Sequence, residues 1–193
     1  MSTKIKNLII TGSSGFIGSN IFYKYANDDI YQIYLCDRKS NIHNEKFSDF
    51  IKPDDLVNFI MNNNFGSDTV IFHQGACSNT MELDYEYMMS ENYEFSKNLL
   101  DISLSKEIKF IYASSASVYG NSDKCIEEEK YEHPLNIYAE SKLKFDNYVR
   151  KIIKETKTTS VVGLRYFNVY GNFESEKGLI FEPSYKNDLK VIL

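Results

Sequence analysis

The chain has 193 residues, of which 42% are hydrophobic and 25% are charged, and its formal net charge is −5 at pH 7. This length is enough to bury one good core, and the composition is ordinary for a globular domain. The acidic balance argues against a nucleic-acid partner, since such domains usually carry a basic stripe. No apolar run approaches the roughly 20 residues of a membrane helix, and the apolar part of MSTKIKNLIITG is too short for a signal peptide.

The cysteines and histidines are too dispersed to indicate a metal site or a disulfide framework. The cysteines form no CxxC pair and the histidines are equally scattered; they are Cys36, Cys77, Cys125, His43, His73 and His133. Isolated cysteines of this kind are typical of free thiols in a reducing compartment. We therefore expect a cytoplasmic protein that holds no metal.

Predicted strands and helices alternate along the chain. Apolar runs predict strands at 5–11, 30–36, 68–72, 108–113 and 160–165, with a possible short strand at 47–51. Helical periodicity predicts helices at 16–27, from Pro53 onward, at 85–106 and at 135–155. Such alternation is typical of a parallel sheet with helices on both faces, and continuous apolar strands fit burial on both sides. We thus predict an α/β fold with a doubly wound parallel sheet.

A glycine-rich loop follows the first strand and opens the first helix. Gly12, Gly15 and Gly18 are spaced three apart in TGSSGFIG. In a dinucleotide site one glycine makes the tight turn, one lets the backbone approach a pyrophosphate, and one allows close packing of helix on strand. The helix N-terminus then offers N–H groups and its positive dipole end to the phosphates. A tight turn without a ligand is the alternative that this motif alone leaves open.

The end of the second predicted strand carries one acidic and two basic residues. Asp37 stands where an acid can accept hydrogen bonds from an adenosine ribose, which favours NAD. Its neighbours Arg38 and Lys39 would suit a 2′-phosphate, which favours NADP. A solvated loop is the third interpretation. These residues strengthen the prediction of a dinucleotide site but leave its phosphate preference open.

A tyrosine and a lysine stand four residues apart at the start of a predicted helix. This spacing places Tyr138 and Lys142 on one helix face. A phenol with a pKa near ~10 is a poor base at neutral pH, but a nearby ammonium and an oxidised nicotinamide would lower that pKa. Tyr138 would then take a proton from a substrate hydroxyl while hydride leaves for the cofactor. By itself such a pair is also ordinary helix surface.

The stretch YASSASVYG at 112–120 brings two serines to the end of a buried strand. In a doubly wound sheet, ligands bind outside the carboxyl ends of the strands. We therefore expect Ser115 to hold the substrate oxygen that Tyr138 deprotonates. For Ser114 we expect a hydrogen bond that stabilises the turn.

These motifs together resemble the extended short-chain dehydrogenase/reductases that act on nucleotide sugars. The resemblance rests on the glycine loop, the strand end at Ser115, the pair Tyr138 and Lys142, and RYFNVYG at 165–171, and it covers residues 5 to 171 in order. It implies a Rossmann-type fold in which Ser115, Tyr138 and Lys142 form the catalytic triad. We accordingly predict an NAD(P)-binding domain at 1–172 and a remnant of the substrate-binding region at 173–193.

Other stretches are similar to the family of ADP-L-glycero-D-manno-heptose 6-epimerases, namely FHQGACSNT at 72–80, YMMSENYEFSK at 87–97, PLNIY at 134–138 and FDNYVR at 145–150. Simple helix packing would also account for Met88 and Met89. In that family, bound NADP oxidises the sugar at C6 to a ketone, the intermediate reorients, and hydride returns to its other face. The resemblance implies this isomerase reaction here, with an ADP-heptose as partner and lipopolysaccharide core biosynthesis as its setting.

The same resemblance assigns further residues to the site. Lys177 matches the family's second base, although Glu176 replaces the histidine that commonly precedes it and would tend to raise the pKa of the lysine. Asn168 matches a substrate-contacting asparagine. The residues that match the cofactor pocket are Gly75, Ala76, Cys77 and Asn92 along its lining and Phe16, Ile17, Arg38 and Lys39 at its adenosine end.

Two alternatives stay open at the level of function. A sibling 4-epimerase or 4,6-dehydratase would use the same triad, but a dehydratase should have an acidic residue beside the serine, where this chain has Ala116 and Ser117. The other alternative is a non-catalytic dinucleotide-binding fragment. Enzymes of this class are longer, so we expect that most of the C-terminal substrate domain is missing after Leu193. We expect a homo-oligomer for a full-length form.

Overall fold

The computed structural model describes residues 7–42 and 46–171. They form one six-stranded parallel sheet in the order β3-β2-β1-β4-β5-β6. The strands are β1 (Asn7–Thr11), β2 (Gln32–Cys36), β3 (Asp49–Ile51), β4 (Thr69–His73), β5 (Lys109–Ser115) and β6 (Val161–Tyr166). The helices are α1 (Phe16–Tyr25), α2 (Pro53–Asn62), α3 (Tyr85–Met89), α4 (Phe95–Ser105) and α5 (Ile137–Thr156).

The sheet is covered on both faces, as its apolar strands predict. On one face, strand residues such as Ile71 and Phe110 pack with residues of α2, α4 and α5, including Leu99. On the other face, Ile10 and its neighbours pack against Phe22 of α1. All five residues of β1 are buried, which places that strand at the centre of the core. The predicted doubly wound α/β fold is therefore confirmed.

The strand order reverses beside β1, and this reversal places the candidate site. From β1 the chain winds to β2 and β3 in one direction, and then to β4, β5 and β6 in the other. Crossovers therefore leave β1 and β4 towards opposite faces, so a crevice opens between the carboxyl ends of these two strands. In doubly wound sheets this switch point is where ligands bind.

The helix predicted at 85–106 is continuous in direction but not regular. Residues Ser90–Glu94 form one turn of π-helix between α3 and α4. A π-turn inserts one extra residue into the helical repeat and is frequent at functional sites. Here it turns Asn92 inward until the residue is only 1% exposed. Met88 and Met89 on the preceding turn are buried, so the packing role considered for them is confirmed.

Helix α5 carries the tyrosine–lysine pair, and its start is well defined. Asn136 is the N-cap, and its side-chain oxygen accepts a hydrogen bond of 2.8 Å from the backbone N–H of Ala139. This is the usual role of an Asn at that position. The helix ends after Thr156, where Lys157 adopts a left-handed conformation. The cap fixes the direction of the first two turns, which hold Tyr138 and Lys142.

Most predicted elements are found with shifted ends. Helix α1 ends at Tyr25 and β5 continues to Ser115, two residues further than its apolar run indicates. Lys177 and the predicted region 173–193 lie outside the described residues. Within the described part of the chain, no helix combines the length and apolarity that a membrane crossing requires.

Candidate cofactor and catalytic site

The glycine loop fits tightly against the loop that follows β4. Gly12 has φ +63°, and a Cβ placed on it would lie 2.6 Å from the backbone nitrogen of Gly75. A Cβ on Gly18 would lie 2.1 Å from the carbonyl oxygen of Gly12. Neither position can hold a side chain without backbone displacement. Both glycines are therefore required for close approach of backbone segments.

The N-terminus of α1 lies at this loop, at the carboxyl end of β1. The N-cap is Gly15, and no side chain caps the helix. The helix begins with Phe16 and Ile17 and carries no acidic residue in its first turn. A helix start of this kind offers backbone N–H groups and a positive dipole end to an anion. The cradle thus fits the pyrophosphate of a dinucleotide.

The residues at the end of β2 are tied to the glycine loop through Ser14. The backbone N–H of Ser14 donates to Asp37 Oδ2 at 2.9 Å, and its hydroxyl donates to the carbonyl oxygen of Lys39. Asp37 Oδ1 accepts from the backbone N–H of Arg38 at 2.7 Å. The Arg38 guanidinium forms a partly exposed ion pair of 2.5 Å with Glu91. The three residues predicted at the adenosine end therefore lie together beside the loop.

Asn92 fastens the loop of Gly75, Ala76 and Cys77 to the rest of the site. Its side-chain oxygen accepts from the backbone N–H of Cys77 at 2.8 Å, and its amide donates to the Cys77 carbonyl at 3.0 Å. The amide also lies 3.0 Å from the hydroxyl of Ser141 on α5. Asn92 thus fixes the backbone of a loop that lines the crevice.

Tyr138 and Lys142 lie on the same face of α5, as their spacing predicts. The lysine is 7% exposed, its Nζ donates to the carbonyl oxygen of Ala113 at 3.0 Å, and it lies 5.9 Å from the centre of the Tyr138 ring. Burial lowers the pKa of Lys142 to about 8, although Asp146 acts in the opposite direction. The side chain is anchored by the strand end, and its ammonium is less stable than that of a solvated lysine.

The pKa of Tyr138 is raised rather than lowered by the protein. Burial is the main cause, and a side-chain hydrogen bond with Ser115 acts in the opposite direction. The Lys142 ammonium lies over the ring, 5.9 Å from its centre, while it donates to the carbonyl oxygen of Ala113, and burial decides the direction of the shift in the pKa of Tyr138. The described groups together therefore shift the pKa of Tyr138 in the direction opposite to the lowering expected from the ammonium and an oxidised nicotinamide.

Ser115 is oriented by a residue that the sequence analysis did not assign to the site. The backbone N–H and the hydroxyl of Ser117 both donate to Ser115 Oγ, at 3.2 Å and 2.9 Å. With two donors already on its oxygen, Ser115 directs its own hydrogen towards an acceptor such as the Tyr138 oxygen. Ser115 accordingly lies at the end of β5 with its hydroxyl beside the phenol.

Ser114 does not stabilise the turn, which corrects the expectation stated for it. Its hydroxyl donates to Asp146 Oδ2 at 2.8 Å, and the Tyr112 hydroxyl donates to Asp146 Oδ1 at 2.9 Å. The two side chains share one face of β5 because strand residues alternate in direction. Arg165 completes the group with a 3.1 Å ion pair to Asp146 and a second pair to Glu132. This buried network holds α5 against β5 and β6.

Two predicted residues remain, Asn168 and Lys177. Asn168 lies two residues after Tyr166, the β6 register partner of Ser115. Asn168 is exposed in the segment after β6, and Lys177 lies outside the described residues. Among residues 7–42 and 46–171, no group of three or more His, Cys, Asp or Glu side chains is arranged to hold a metal ion. The roles of all the site residues remain predictions, although most of those described lie around one crevice.

The fold and the crevice define a Rossmann-type protein built to bind a dinucleotide. The family model of the NAD dependent epimerase/dehydratase family matches residues 8–183. The chain belongs to that family, and a nicotinamide dinucleotide is accordingly the class of cofactor for the crevice. Among curated relatives, the ADP-L-glycero-D-manno-heptose-6-epimerase of Brachyspira hyodysenteriae is 50% identical over an alignment 184 residues long, which covers 89% of this chain and 57% of that protein.

Solved structures agree with this assignment. The ADP-L-glycero-D-manno-heptose-6-epimerase of Helicobacter pylori is 34% identical with a TM-score of 0.73, over 91% of this chain and 59% of that chain. UDP-glucuronic acid 4-epimerase of Bacillus cereus was solved with UDP-glucuronic acid and NAD. It is 24% identical with a TM-score of 0.70, over 86% of this chain and 57% of that chain. The second likeness shows the shared fold alone. The chain spans somewhat more than half the length of these relatives.

Proposed function

We propose that the protein inverts C6 of the heptose in ADP-D-glycero-D-manno-heptose, giving ADP-L-glycero-D-manno-heptose. One observation supports the reaction class above all, namely the Tyr138 phenol with Ser115 and Lys142 beside the dinucleotide crevice. The 50% identity to the Brachyspira relative supports the choice of sugar. The product would serve lipopolysaccharide core biosynthesis, and the free thiols of Cys36 and Cys125 fit a reducing cytoplasm.

Tyr138 would exchange the proton of the C6 hydroxyl. When bound, an oxidised nicotinamide supplies a hydride acceptor and a positive charge that lowers the pKa of a nearby phenol. The protein's own groups raise the pKa of Tyr138, so the phenol would hold its proton once the nicotinamide has lost its positive charge, and that proton would go to the C6 oxygen on the return step. Ser115 would hold that oxygen by donating its hydroxyl hydrogen. Lys142 would set the position of the phenol through its anchor on Ala113.

Epimerisation requires the keto sugar to be reduced on the face opposite to the one that was oxidised. The sugar must therefore adopt two orientations, and each orientation needs a group that handles the C6 proton. We assign Lys177 as the second of these groups and Asn168 as a contact to the substrate. Both assignments rest on the family pattern, and Glu176 beside Lys177 is the departure that a mutation should examine first.

We propose NADP as the preferred cofactor. Both oxygens of Asp37 accept backbone N–H groups, which offset part of the negative charge that a 2′-phosphate would face there. Arg38 and Lys39 are exposed beside it, and the Arg38–Glu91 ion pair lies at the surface. Surface ion pairs are weak, so a 2′-phosphate could recruit the guanidinium from Glu91.

Direct titration tests the cofactor preference. The wild type should bind NADP more tightly than NAD, and Arg38→Ala or Lys39→Ala should weaken NADP binding by about tenfold, the value of one charge-assisted contact. Binding of NAD should change by less than about threefold in the same variants. Tighter binding of NAD by the wild type would contradict the preference.

The reaction itself is tested by NMR. The purified chain is incubated with NADP and ADP-D-glycero-D-manno-heptose, and the C6 configuration is followed with time. We expect inversion with the wild type and none with Tyr138→Phe. Tyr148→Phe is the matched control, because Tyr148 lies on the same helix but donates its hydroxyl hydrogen to Asp101, away from the crevice. NADP binding without inversion would contradict the proposed reaction.

A further inference from the structure

His73 is a buried histidine that lies directly beneath the crevice. It ends β4, and its register partner Thr11 ends β1, so the two residues occupy the switch point of the sheet. His73 Nδ1 lies 2.7 Å from Thr11 Oγ1, and Nε2 lies 2.8 Å from Ser96 Oγ on α4. The residue is 4% exposed. A polar side chain at this depth must have its hydrogen bonds satisfied, and both ring nitrogens are.

The donors and acceptors around His73 define one direction for the whole chain of hydrogen bonds. The Ser96 hydroxyl donates to the carbonyl oxygen of Asn92 at 2.6 Å, so its oxygen must accept from His73 Nε2–H. His73 Nδ1 is then an acceptor, and the Thr11 hydroxyl donates to it. Thr11 Oγ1 in turn accepts the backbone N–H of Gly75 at 3.0 Å. The imidazole is therefore neutral and protonated on Nε2.

This series of hydrogen bonds joins the two segments that form the cofactor crevice. At one end Thr11 precedes the glycine loop and holds the N–H of Gly75, whose backbone lies against Gly12. At the other end is the π-turn, where Asn92 holds the backbone of Cys77. The loop from Gly75 to Cys77 is thus held at both ends, and His73 is the common link between the two attachments.

We propose that His73 is a positioning residue for the dinucleotide site, which sets the 75–77 loop against the glycine loop through Thr11 and against the π-turn through Ser96. The role deepens the proposed function because it concerns the same cofactor crevice. It needs a neutral ring with a defined tautomer, since a second ring proton on Nδ1 would face the Thr11 hydroxyl hydrogen. Burial, and then the nearby ammonium of Lys142, lower the pKa of His73 to about 3, which keeps the ring neutral.

A purely structural role is the competing explanation. The ring also packs against Phe95 and Phe110, with centroid distances of 5.6 Å to each. Loss of that packing would lower the stability of the protein without changing the affinity of the folded molecules for a ligand. The two explanations therefore differ in whether dinucleotide binding depends on each arm of the hydrogen-bond chain.

Two amide variants separate the arms. In His73→Asn the side-chain oxygen can take the place of Nδ1 and accept from Thr11, while the link to Ser96 is lost. In His73→Gln the amide nitrogen can take the place of Nε2 and donate to Ser96, while Thr11 loses its acceptor. Each variant is titrated with NADP and with NAD well below its melting temperature, and its melting temperature is recorded separately.

We expect His73→Gln and His73→Asn each to weaken dinucleotide binding by about tenfold, because each variant removes one arm and one lost hydrogen bond allows a change of this size. Unchanged affinity in either variant would overturn the proposal, even if that variant melts earlier. If neither variant folds, Thr11→Val should weaken binding about tenfold and Thr11→Ser should not, and equal affinities of that pair would overturn it. A wild type that binds neither dinucleotide would contradict the cofactor site itself.

The tautomer gives a readout that does not depend on any ligand. Long-range ¹H–¹⁵N correlation spectra of the full chain should show His73 as a neutral ring protonated on Nε2 at pH 7. An Nδ1–H tautomer or a charged ring would reverse the hydrogen-bond chain and overturn the proposal.

Discussion

Replacing Lys142 by methionine should make the protein more stable while abolishing its proposed activity. The lysine is 7% exposed, and burial lowers the pKa of its ammonium from 10.5 to about 8. That difference corresponds to a cost of about 3 kcal/mol for holding the charge in the folded protein at neutral pH. Methionine has a similar length and carries no charge.

Part of this gain is offset by the loss of the hydrogen bond from Lys142 Nζ to the carbonyl oxygen of Ala113. A hydrogen bond from a charged donor contributes about 1.5–3 kcal/mol to stability. We therefore expect Lys142→Met to raise the free energy of unfolding by about 1 kcal/mol at pH 7. For a chain of this length that corresponds to a rise of about 2–4 °C in the melting temperature.

The pH dependence gives the sharper test of this reasoning. Because the folded-state pKa lies below the ordinary value, the folded wild type binds fewer protons than the unfolded chain between about pH 8 and 10.5. Wild-type stability from this group therefore rises with pH across that window. The excess in the free energy of unfolding of Lys142→Met over the wild type is therefore largest below pH 8 and decreases above it.

Urea unfolding at pH 7, 8 and 9 measures both effects. Lys151→Met is the control, because Lys151 lies on the same helix with its side chain 69% exposed, and it should change stability by less than about 0.5 kcal/mol. A Lys142→Met variant that is less stable than the wild type at pH 7, or whose difference from it is the same at pH 7 and 9, would refute the argument.

Three further perturbations follow from single contacts. Gly12→Ala should abolish dinucleotide binding, because its Cβ would lie 2.6 Å from the nitrogen of Gly75, whereas Gly66→Ala meets nothing closer than 3.8 Å and should bind normally in the same titration. Asp146→Ala should cost about 3–5 kcal/mol in urea unfolding, since it removes one of the two carboxylates paired with Arg165 and leaves the buried Tyr112 and Ser114 hydroxyls without their acceptor; a loss below 1 kcal/mol would contradict that account. Because the pKa of His73 is lowered to about 3, the folded chain binds fewer protons than the unfolded chain from pH 6.5 downwards. His73→Asn should thus lose less stability on acidification than the wild type, by up to ~1.4 kcal/mol per pH unit in matched melts.

The sequence predicts the architecture well, because the relevant signals are local. Each apolar strand and each amphipathic helix can be recognised from residues that are close together in the sequence. The glycine spacing likewise marks one strand–helix junction. The spacing of Tyr138 and Lys142 needs only the geometry of one helix. These features are confirmed as structure, with errors limited to a few residues at the ends of elements.

The contacts that depend on strand order could not be predicted in the same way. His73 and Thr11 meet because β1 and β4 are neighbours in register, although 62 residues separate them in the chain. The histidine therefore looked isolated in the sequence. The π-turn at Ser90–Glu94 also has no signal in hydrophobic periodicity, yet it determines where Asn92 points.

Asp146 is a residue that the sequence could have indicated. It stands one helical turn beyond Lys142, in the series Tyr138, Lys142 and Asp146 at intervals of four, which places all three on one face. Its partners Ser114 and Tyr112 alternate on β5 and lie on one face of that strand. The role of Ser114 was misjudged because β5 was expected to end before it.

The fate of a hydrogen label at C6 tests the central claim most directly. ADP-D-glycero-D-manno-heptose carrying deuterium at C6 is incubated with the full chain and NADP in ordinary water, and the product is examined by NMR. If the same hydride that leaves C6 returns to it, the wild type should give inversion at C6 with the deuterium retained. Tyr138→Phe should give no inverted product. Inversion with the deuterium replaced by hydrogen from water, or no inversion while NADP is bound, would contradict it.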